Sequence, residues 1–239
     1  MTHDVCCSVA MATYNGELYI AEQIESVLKN IGQNDELIIS DDGSSDKTRE
    51  IIETYMKNDS RIQLIEGPRK GVVSNFENAL KHTTGEVVFL CDQDDIWADN
   101  KVQKVLNAMD NGITVVLHDA EVFQEEKVLC PSFMQHRGSG KGVFHNLVKN
   151  SYIGCCMAIK RELLDYALPF PEKICMHDQW IGLISELYGE SRFIEDRLLR
   201  YRRHGKNASS MTGQKISKKI LDRVFMVLSL LQLRFQRRQ

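Results

Sequence analysis

The sequence holds no apolar run near the ~20 residues that a bilayer-spanning helix requires. It opens on Met1-Thr-His-Asp-Val, without the basic and long apolar regions of a secretory leader, so none is expected. No CxxC pair occurs among the seven cysteines, Cys6, Cys7, Cys91, Cys130, Cys155, Cys156 and Cys175. Their number is odd, and Cys6-Cys7 falls in an apparent strand, where neighbours point to opposite faces and share a metal poorly. They read as small core residues in a reducing cytosol, so a cytoplasmic location is expected. No GxGxxG follows the first strand, which argues against a dinucleotide-binding oxidoreductase, and the absence of GxxxxGKS/T argues against a P-loop nucleotidase. There is no internal repeat and no low-complexity linker. A net charge of −3 argues against a general polyanion binder, so no nucleic acid partner is expected, though a local basic patch remains open.

What is present is a core-forming chain of 239 residues, 43% hydrophobic. Its first 120 residues alternate strand and helix. Val5 to Ala12 is a nearly continuous apolar run, the mark of a strand buried on both faces. Leu18, Ala21, Ile24, Val27, Leu28 and Ile31 recur at helical spacing. Leu37 to Ile39 predicts a second strand, and Asp46 a cap for a helix over 47–57. Ile62 to Ile65, Val72 to Leu80 and Val87 to Cys91 predict strand, helix and strand. A helix over 101–109 and a strand from Thr114 to Leu117 follow. This series predicts an α/β fold, a mostly parallel Rossmann-like sheet flanked by helices. Residues 119–142 read as a long loop over or near the site. Beyond it come a short helix at 144–148, a strand at 154–160, helices at 161–166 and 177–188, and a last strand at 198–202.

In an open parallel sheet, ligands bind beyond the carboxyl ends of the strands. The polar clusters fall there: Thr13-Tyr14-Asn15-Gly16 after the first strand, Asp41-Asp42-Gly43-Ser44-Ser45-Asp46 after the second, Asp92-Gln93-Asp94-Asp95 after the fourth. Each alone suits turn and cap chemistry; three at adjacent strand ends define one crevice. Carboxylates alone would repel a nucleoside diphosphate, so a divalent cation is expected between them, Mn2+ or Mg2+. In Asp92-x-Asp94, residues i and i+2 leaving a strand face the same way, while Asp95 points elsewhere, toward capping the next helix.

These segments, with Ile96-Trp97 and the later His177-Asp178-Gln179-Trp180 and Tyr201-Arg202-Arg203-His204-Gly205-Lys206-Asn207, resemble the inverting family 2 glycosyltransferases of GT-A fold, in particular their rhamnosyltransferase-like branch. The resemblance spans about residues 5 to 210. It departs in one place, where Met11-Ala12 stands in place of the usual proline before the Thr13-Tyr14-Asn15 turn. It implies that Thr13, Tyr14, Asn15 and one of Asp41 or Asp42 line a base and ribose pocket, for uracil or thymine. It further implies that Asp92 touches ribose or metal, Asp94 holds the metal and His204 makes a third contact to metal or diphosphate. Arg202 or Lys206 would meet the phosphates. Asp178 would be the base that deprotonates the acceptor, with His177 and Trp180 on the acceptor side. The implied reaction moves a hexose or rhamnose from a UDP- or dTDP-sugar to the hydroxyl of a glycan or lipid-linked acceptor, with inversion, in bacterial surface polysaccharide synthesis.

Each residue also has a structural reading. Asp178 suits a helix cap, Trp180 and Trp97 suit core packing, and His118-Asp119 suits the pocket margin. Two other functions compete: a sugar-nucleotide-binding or scaffold protein without turnover, and a phosphohydrolase using Asp92 and Asp94. Ile96 stands where the latter wants Thr or Val.

The catalytic domain is expected over 1–212, and 213–239 form a distinct amphipathic helix. Ile216, Ile220, Val224, Val227, Leu228, Leu231 and Phe235 recur at helical spacing, surrounded by Lys215, Lys218, Lys219, Arg223, Arg234, Arg237 and Arg238. That pattern reads as a peripheral membrane anchor, or as a helix docked on its own domain or on another subunit of a homo-oligomer.

Overall fold

A computed structural model describes residues 5–110, 112–205, 207 and 216–236. β1 (Cys7–Thr13) is buried along its whole length, as its apolar run requires. It pairs in parallel with β2 (Glu36–Asp41) and β4 (Val87–Asp92), and β2 with β3 (Ile62–Glu66).

The period of two along β1 sorts its side chains between two cores. Cys7, Val9 and Met11 join Ile20, Ile24 and Val27 of α1 (Ile20–Leu28) and Ile52 of α2 (Thr48–Asn58). Ala10 and Ala12 face the other way, onto Phe76, Ala79 and Leu80 of α3 (Val72–His82). The helices thus cover both faces of the sheet, as βαβ crossovers demand.

Beyond β4 the sheet becomes mixed. Its order is β3-β2-β1-β4-β8-β6-β9-β5, with β7 beside β6. The remaining strands are β5 (Ile96–Trp97), β6 (Val115–Gln124), β7 (Lys127–Cys130), β8 (Met157–Lys160) and β9 (Ser191–Arg202). β8 runs antiparallel to both β4 and β6, whereas β6 and β9 are parallel. The remaining helices are α4 (Lys101–Ala108), α5 (Phe133–Arg137), α6 (Val143–Val148), α7 (Arg161–Ala167), α8 (His177–Tyr188) and α9 (Ile216–Gln236).

The segment 119–142, expected as a loop, is largely ordered. β6 continues to Gln124 and turns back through Glu125 and Glu126 into β7, with Glu125 left-handed at φ 54. Two glutamates give no hairpin signal of the Asn-Gly kind, and the glycines that suggested a loop lie past the turn. Two other boundaries move. A 3-10 turn, Gly154–Cys156, replaces the start of the strand expected at 154, and β9 begins at Ser191 instead of 198. β5, two residues long, pairs Ile96 with Arg200 and Trp97 with Leu199. That pairing brings the end of β9 beside the loop after β4.

Candidate active site

Gln93 ties the loop after β4 to the loop after β1. Its Oε1 accepts from the Thr13 hydroxyl (2.5 Å) and the Tyr14 N–H (2.9 Å), and its Nε2 donates to the Tyr14 carbonyl (3.0 Å). Gly16 fits beneath it, because a Cβ there would lie 2.3 Å from Gln93 Oε1. Asn15, left-handed at φ 49, donates its N–H to Ser44 Oγ (2.8 Å), and its Oδ1 accepts from the Ser45 N–H (2.8 Å). The three loops are therefore one hydrogen-bonded unit. The Tyr14 ring is held at its rim, 56% exposed.

Of the pair Asp41 and Asp42, Asp41 is fully buried. It accepts from Ser44 and from Arg49 (3.1 Å), which bridges on to Glu66 (2.7 Å). Asp42 is half-buried and accepts from the N–H groups of Arg69 (2.6 Å), Lys70 (3.3 Å) and Gly71 (2.8 Å). Asp42 is the member of the pair that a ligand can reach; Asp41 shapes the loop from behind.

Next to this unit, carboxylates converge. Oδ2 of Asp94 lies 2.7 Å from Nε2 of His204 and 3.3 Å from Nδ2 of Asn207. The His204 ring stacks on Tyr19, centroids 4.7 Å apart. Asp92 is pushed up to about 7, first by burial and then by the charges of Asp94 and Asp178. The charges of Asp94 and Asp178 thus reach Asp92, a repulsion of the kind that a divalent cation relieves. Asp94 and His204 are in contact, whereas Asp92 does not bring a ligand atom within 4.8 Å of both; their donor types, oxygen and imidazole, are of the kind that suits Mn2+ or Mg2+.

Among the described residues, the set that brings three ligand atoms within 4.8 Å of one another is a different one, Asp92, Asp95 and Cys155. It fits a cation less well. Asp95 and Cys155 are fully buried, and the Lys101 ammonium beside them donates to the Cys155 carbonyl (2.8 Å) and sits 3.9 Å over the Trp97 ring. A thiol forced upward by its neighbour Cys156 and by burial is also a poor ligand. Asp95 does not cap α4 as expected. Its Oδ1 accepts from the Arg202 N–H (2.9 Å), because the β5–β9 pairing sets Arg202 directly over it.

Arg202, expected at the phosphates, is committed elsewhere. Its guanidinium pairs with Glu22, donates to the Asp94 carbonyl (2.9 Å) and lies over the rings of Phe123 (4.7 Å) and Tyr19 (5.0 Å). It braces the loop after β4. Lys206, the other phosphate candidate, lies outside the described residues.

Asp178 stands in the first turn of α8, where helix amides favour an anion. It accepts from the Gln179 N–H (2.6 Å), from the Gly154 N–H and from Asn150 Nδ2 (3.4 Å). Burial still raises it to about 6. His177 and Trp180, expected on the acceptor side, are core residues instead. His177 stacks on Phe76 at 4.0 Å, neither ring nitrogen has a partner among the described residues, and burial lowers it to about 3. Trp180 is 1% exposed, its indole N–H donating to the Ala167 carbonyl (2.8 Å). The first turn of α8 is buried throughout, so sequence neighbours of Asp178 pack into the core. His118 and Asp119 are buried as well. Asp119 Oδ1 accepts from the Ala120 and Met134 N–H groups (both 2.8 Å) and so fastens the start of α5. Asn207, Asn150, Tyr19 and Lys101 were given no role from sequence. Asn207 stands inside a motif that already held a signal; the other three have none.

A family model described as glycosyl transferase family 2 matches residues 8–167. The chain is 33% identical over 187 residues to the UDP-Glc:alpha-D-GlcNAc-diphosphoundecaprenol beta-1,3-glucosyltransferase WfgD of Escherichia coli, covering 77% of this chain and 71% of that one. It is 29% identical over 215 residues to the dTDP-rhamnosyl transferase RfbG of Shigella flexneri, covering 82% and 72%. Among solved structures, S. aureus TarS 1-349 in complex with UDP-GlcNAc superposes with a TM-score of 0.72 at 20% identity, covering 93% of this chain and 66% of that one. The mannosyltransferase PcManGT from Pyrobaculum calidifontis, with GDP-Man and Mn2+, gives 0.66 at 20% identity, covering 86% and 59%. The chain thus spans about two thirds or less of these two structural relatives.

Proposed function

The chain belongs to glycosyl transferase family 2 and has a GT-A fold, and on that footing we propose that it transfers one sugar from a nucleoside diphosphate to an acceptor hydroxyl with inversion. The observation that carries this reading is the position of Asp178. A carboxylate held by three donors in the first turn of α8 lies close enough to Asp92 for the two charges to repel. Asp178 takes the proton of the acceptor hydroxyl as its oxygen bonds to the anomeric carbon. The anomeric carbon's bond to the diphosphate oxygen breaks in the same step, and the nucleoside diphosphate leaves with that electron pair.

Tyr14, Thr13, Asn15 and Asp42 line the base and ribose end of the donor, with Asp41 holding the loop behind them. Asp94, with Asp92 and His204, would hold a divalent cation, Mn2+ or Mg2+, which would supply positive charge for the diphosphate leaving group. The donor is a UDP- or dTDP-sugar, a hexose or rhamnose. The two relatives named for a UDP-glucose and a dTDP-rhamnosyl transfer support that range. The acceptor is a glycan or a lipid-linked sugar of a surface polysaccharide, in line with the diphosphoundecaprenol acceptor in the first relative's name. The enzyme would work in the cytoplasm or at the inner face of the membrane.

The test is a panel of UDP- and dTDP-sugars with purified protein and Mn2+. Binding is read by thermal shift, and transfer by mass spectrometry of lipid-diphosphate acceptors. A donor that binds in a metal-dependent manner and yields a product of inverted anomeric configuration supports the reading. Retention of configuration, or no binding by any donor, overturns it.

A further inference from the structure

We propose that the face shared by α6 and α9 docks on an anionic lipid bilayer. α9 carries two apolar stripes where a helix lying on its own domain needs one. The inner stripe, with Met226 and Leu230, is buried in the core that also holds Phe76 and Trp180. The outer stripe, Ile220, Val224, Val227, Leu231 and Phe235, follows the 3.6-residue period and is exposed throughout. It is not confined to one helix. Arg223 donates to the Val148 carbonyl and ties α6 alongside, and α6 adds Phe144, 81% exposed, and Val148. An apolar surface of this extent, rimmed by polar groups, marks an interaction site.

The charge at the rim identifies the partner. By helical position, Arg223 and Arg234 flank the outer stripe on one side, and the exposed Leu221 and Leu228 widen it on the other. His145 is exposed on α6 and Lys149 just past its end. Asp222 is the one acidic residue in α9, and α6 has none. The chain as a whole carries −3, so this positive sign is local. In a twofold pairing with a second copy the same surface meets itself, and the arginines and lysines would face their own kind. An anionic headgroup layer meets both features at once. The apolar stripe enters the acyl boundary, and the basic side chains reach the phosphates. No helix among the described residues is long and apolar enough to cross a membrane, so the contact is a surface one.

The face adjoins the site. The Asn146 carbonyl of α6 accepts from Gln179 Nε2 (2.7 Å), and Asn150, just past α6, reaches Asp178. Docking would therefore set Asp178 near the headgroup plane, where a lipid-linked hydroxyl would be presented. The surface argument itself does not depend on the transfer reaction, and its test uses no donor.

The full chain is sedimented with vesicles of phosphatidylcholine alone and of phosphatidylcholine with phosphatidylglycerol, at low and high salt. Binding is expected to the anionic vesicles and to weaken with salt. Val224→Glu with Leu231→Glu, and separately Lys149→Glu with Arg234→Glu, should each lower partitioning at least roughly tenfold without lowering the melting temperature. Light scattering without lipid supplies the other arm. The proposal is overturned if the parent chain ignores anionic vesicles at low salt, or if both variants bind as the parent does. It is also overturned if the parent is a dimer that Val224→Glu with Leu231→Glu dissolves, because the stripe is then a contact between copies.

Discussion

His204 Nε2 lies 2.7 Å from Asp94 Oδ2, although 110 residues separate them. The contact exists because β9 pairs with β5, the two-residue strand that directly follows Asp94-Asp95. Tyr19 stacks beneath the ring, and Asn207 donates to the same carboxylate oxygen. His204→Ala should therefore leave the fold intact and weaken Mn2+ binding on the order of tenfold to a hundredfold. A thermal-shift titration with Mn2+ reads this directly. An unchanged titration would remove His204 from the ligand set and leave Asp94 and Asp92.

The crowded carboxylates give the metal effect a pH dependence. Asp92 is raised from 3.8 to about 7 in the folded chain, by burial first and then by Asp94 and Asp178. Asp95 is raised as well, again chiefly by burial. Between the unfolded and folded values the unfolded chain releases a proton that the folded chain keeps. Stability contributed by these groups is thus present at acid pH and lost as pH rises through about 7. A cation that binds the ionised form offsets that loss. The Mn2+-induced rise in melting temperature should therefore be small near pH ~5 and larger near pH ~7.5. A rise equal at both would contradict the assignment of Asp92 to the site.

The parallel half of the fold was legible because β1 and β4 are apolar runs and α1 and α3 show the helical period. The loops of the candidate site were legible where polar residues cluster at strand ends, at Thr13, Asp42, Asp92 and Asp94. It was not legible where a role depends on which face a side chain takes inside a packed helix. Asp178 and His177 are neighbours at one helix start, yet one faces the crevice and the other stacks on Phe76. Nor does sequence spacing show that Arg202 would meet Glu22, Asp94 and Asp95, since the pairing of β9 with β5 decides it. Lys101 likewise reads as an ordinary helix lysine, and only tertiary packing buries it against Trp97 and Cys155.

Trp180 offers a test of core against acceptor platform. Its indole is buried and hydrogen-bonded to Ala167, so Trp180→Ala should cost about 3–5 kcal/mol of unfolding free energy. Trp180→Phe should lose much less, since it keeps most of the volume while giving up the N–H bond. Denaturant unfolding measures both. A platform role predicts instead a stable variant with a raised acceptor KM.

Gly154 leaves no room for a side chain behind the base. A Cβ there would lie 2.8 Å from His177 Nε2 and 3.7 Å from Asp178 Cβ. The His177 ring is stacked on Phe76 and cannot swing away cheaply. Gly154→Ala should therefore cost about 1–3 kcal/mol through overpacking and shift the start of α8. The expected kinetic signature is a fall in kcat with donor affinity retained, measured beside the melting temperature. Parent-like kcat would show that the start of α8 tolerates the displacement.

Asp178→Asn separates a base from a helix cap. The amide oxygen can still accept from the Gln179 N–H and from Asn150, which both meet Oδ1, so the local structure should persist. Asp178 is raised from 3.8 to about 6, mainly by burial, so its ionised form is disfavoured in the folded chain. A neutral amide removes that cost, and the melting temperature near pH ~7.5 should stay level or rise. Turnover should behave in the opposite way. A general base must be ionised, so kcat of the parent should rise with pH along an acid limb centred near about 6. The Asn variant should lose the limb and a factor on the order of 10² to 10⁴ in rate, with donor and Mn2+ affinity little changed. The cap reading predicts near-parent turnover and at most ~1 kcal/mol of stability change. Turnover, donor affinity and melting temperature measured across pH on one preparation decide between them. A variant that keeps both the rate and the acid limb would remove Asp178 as the base, and with it the observation on which the inverting mechanism rests.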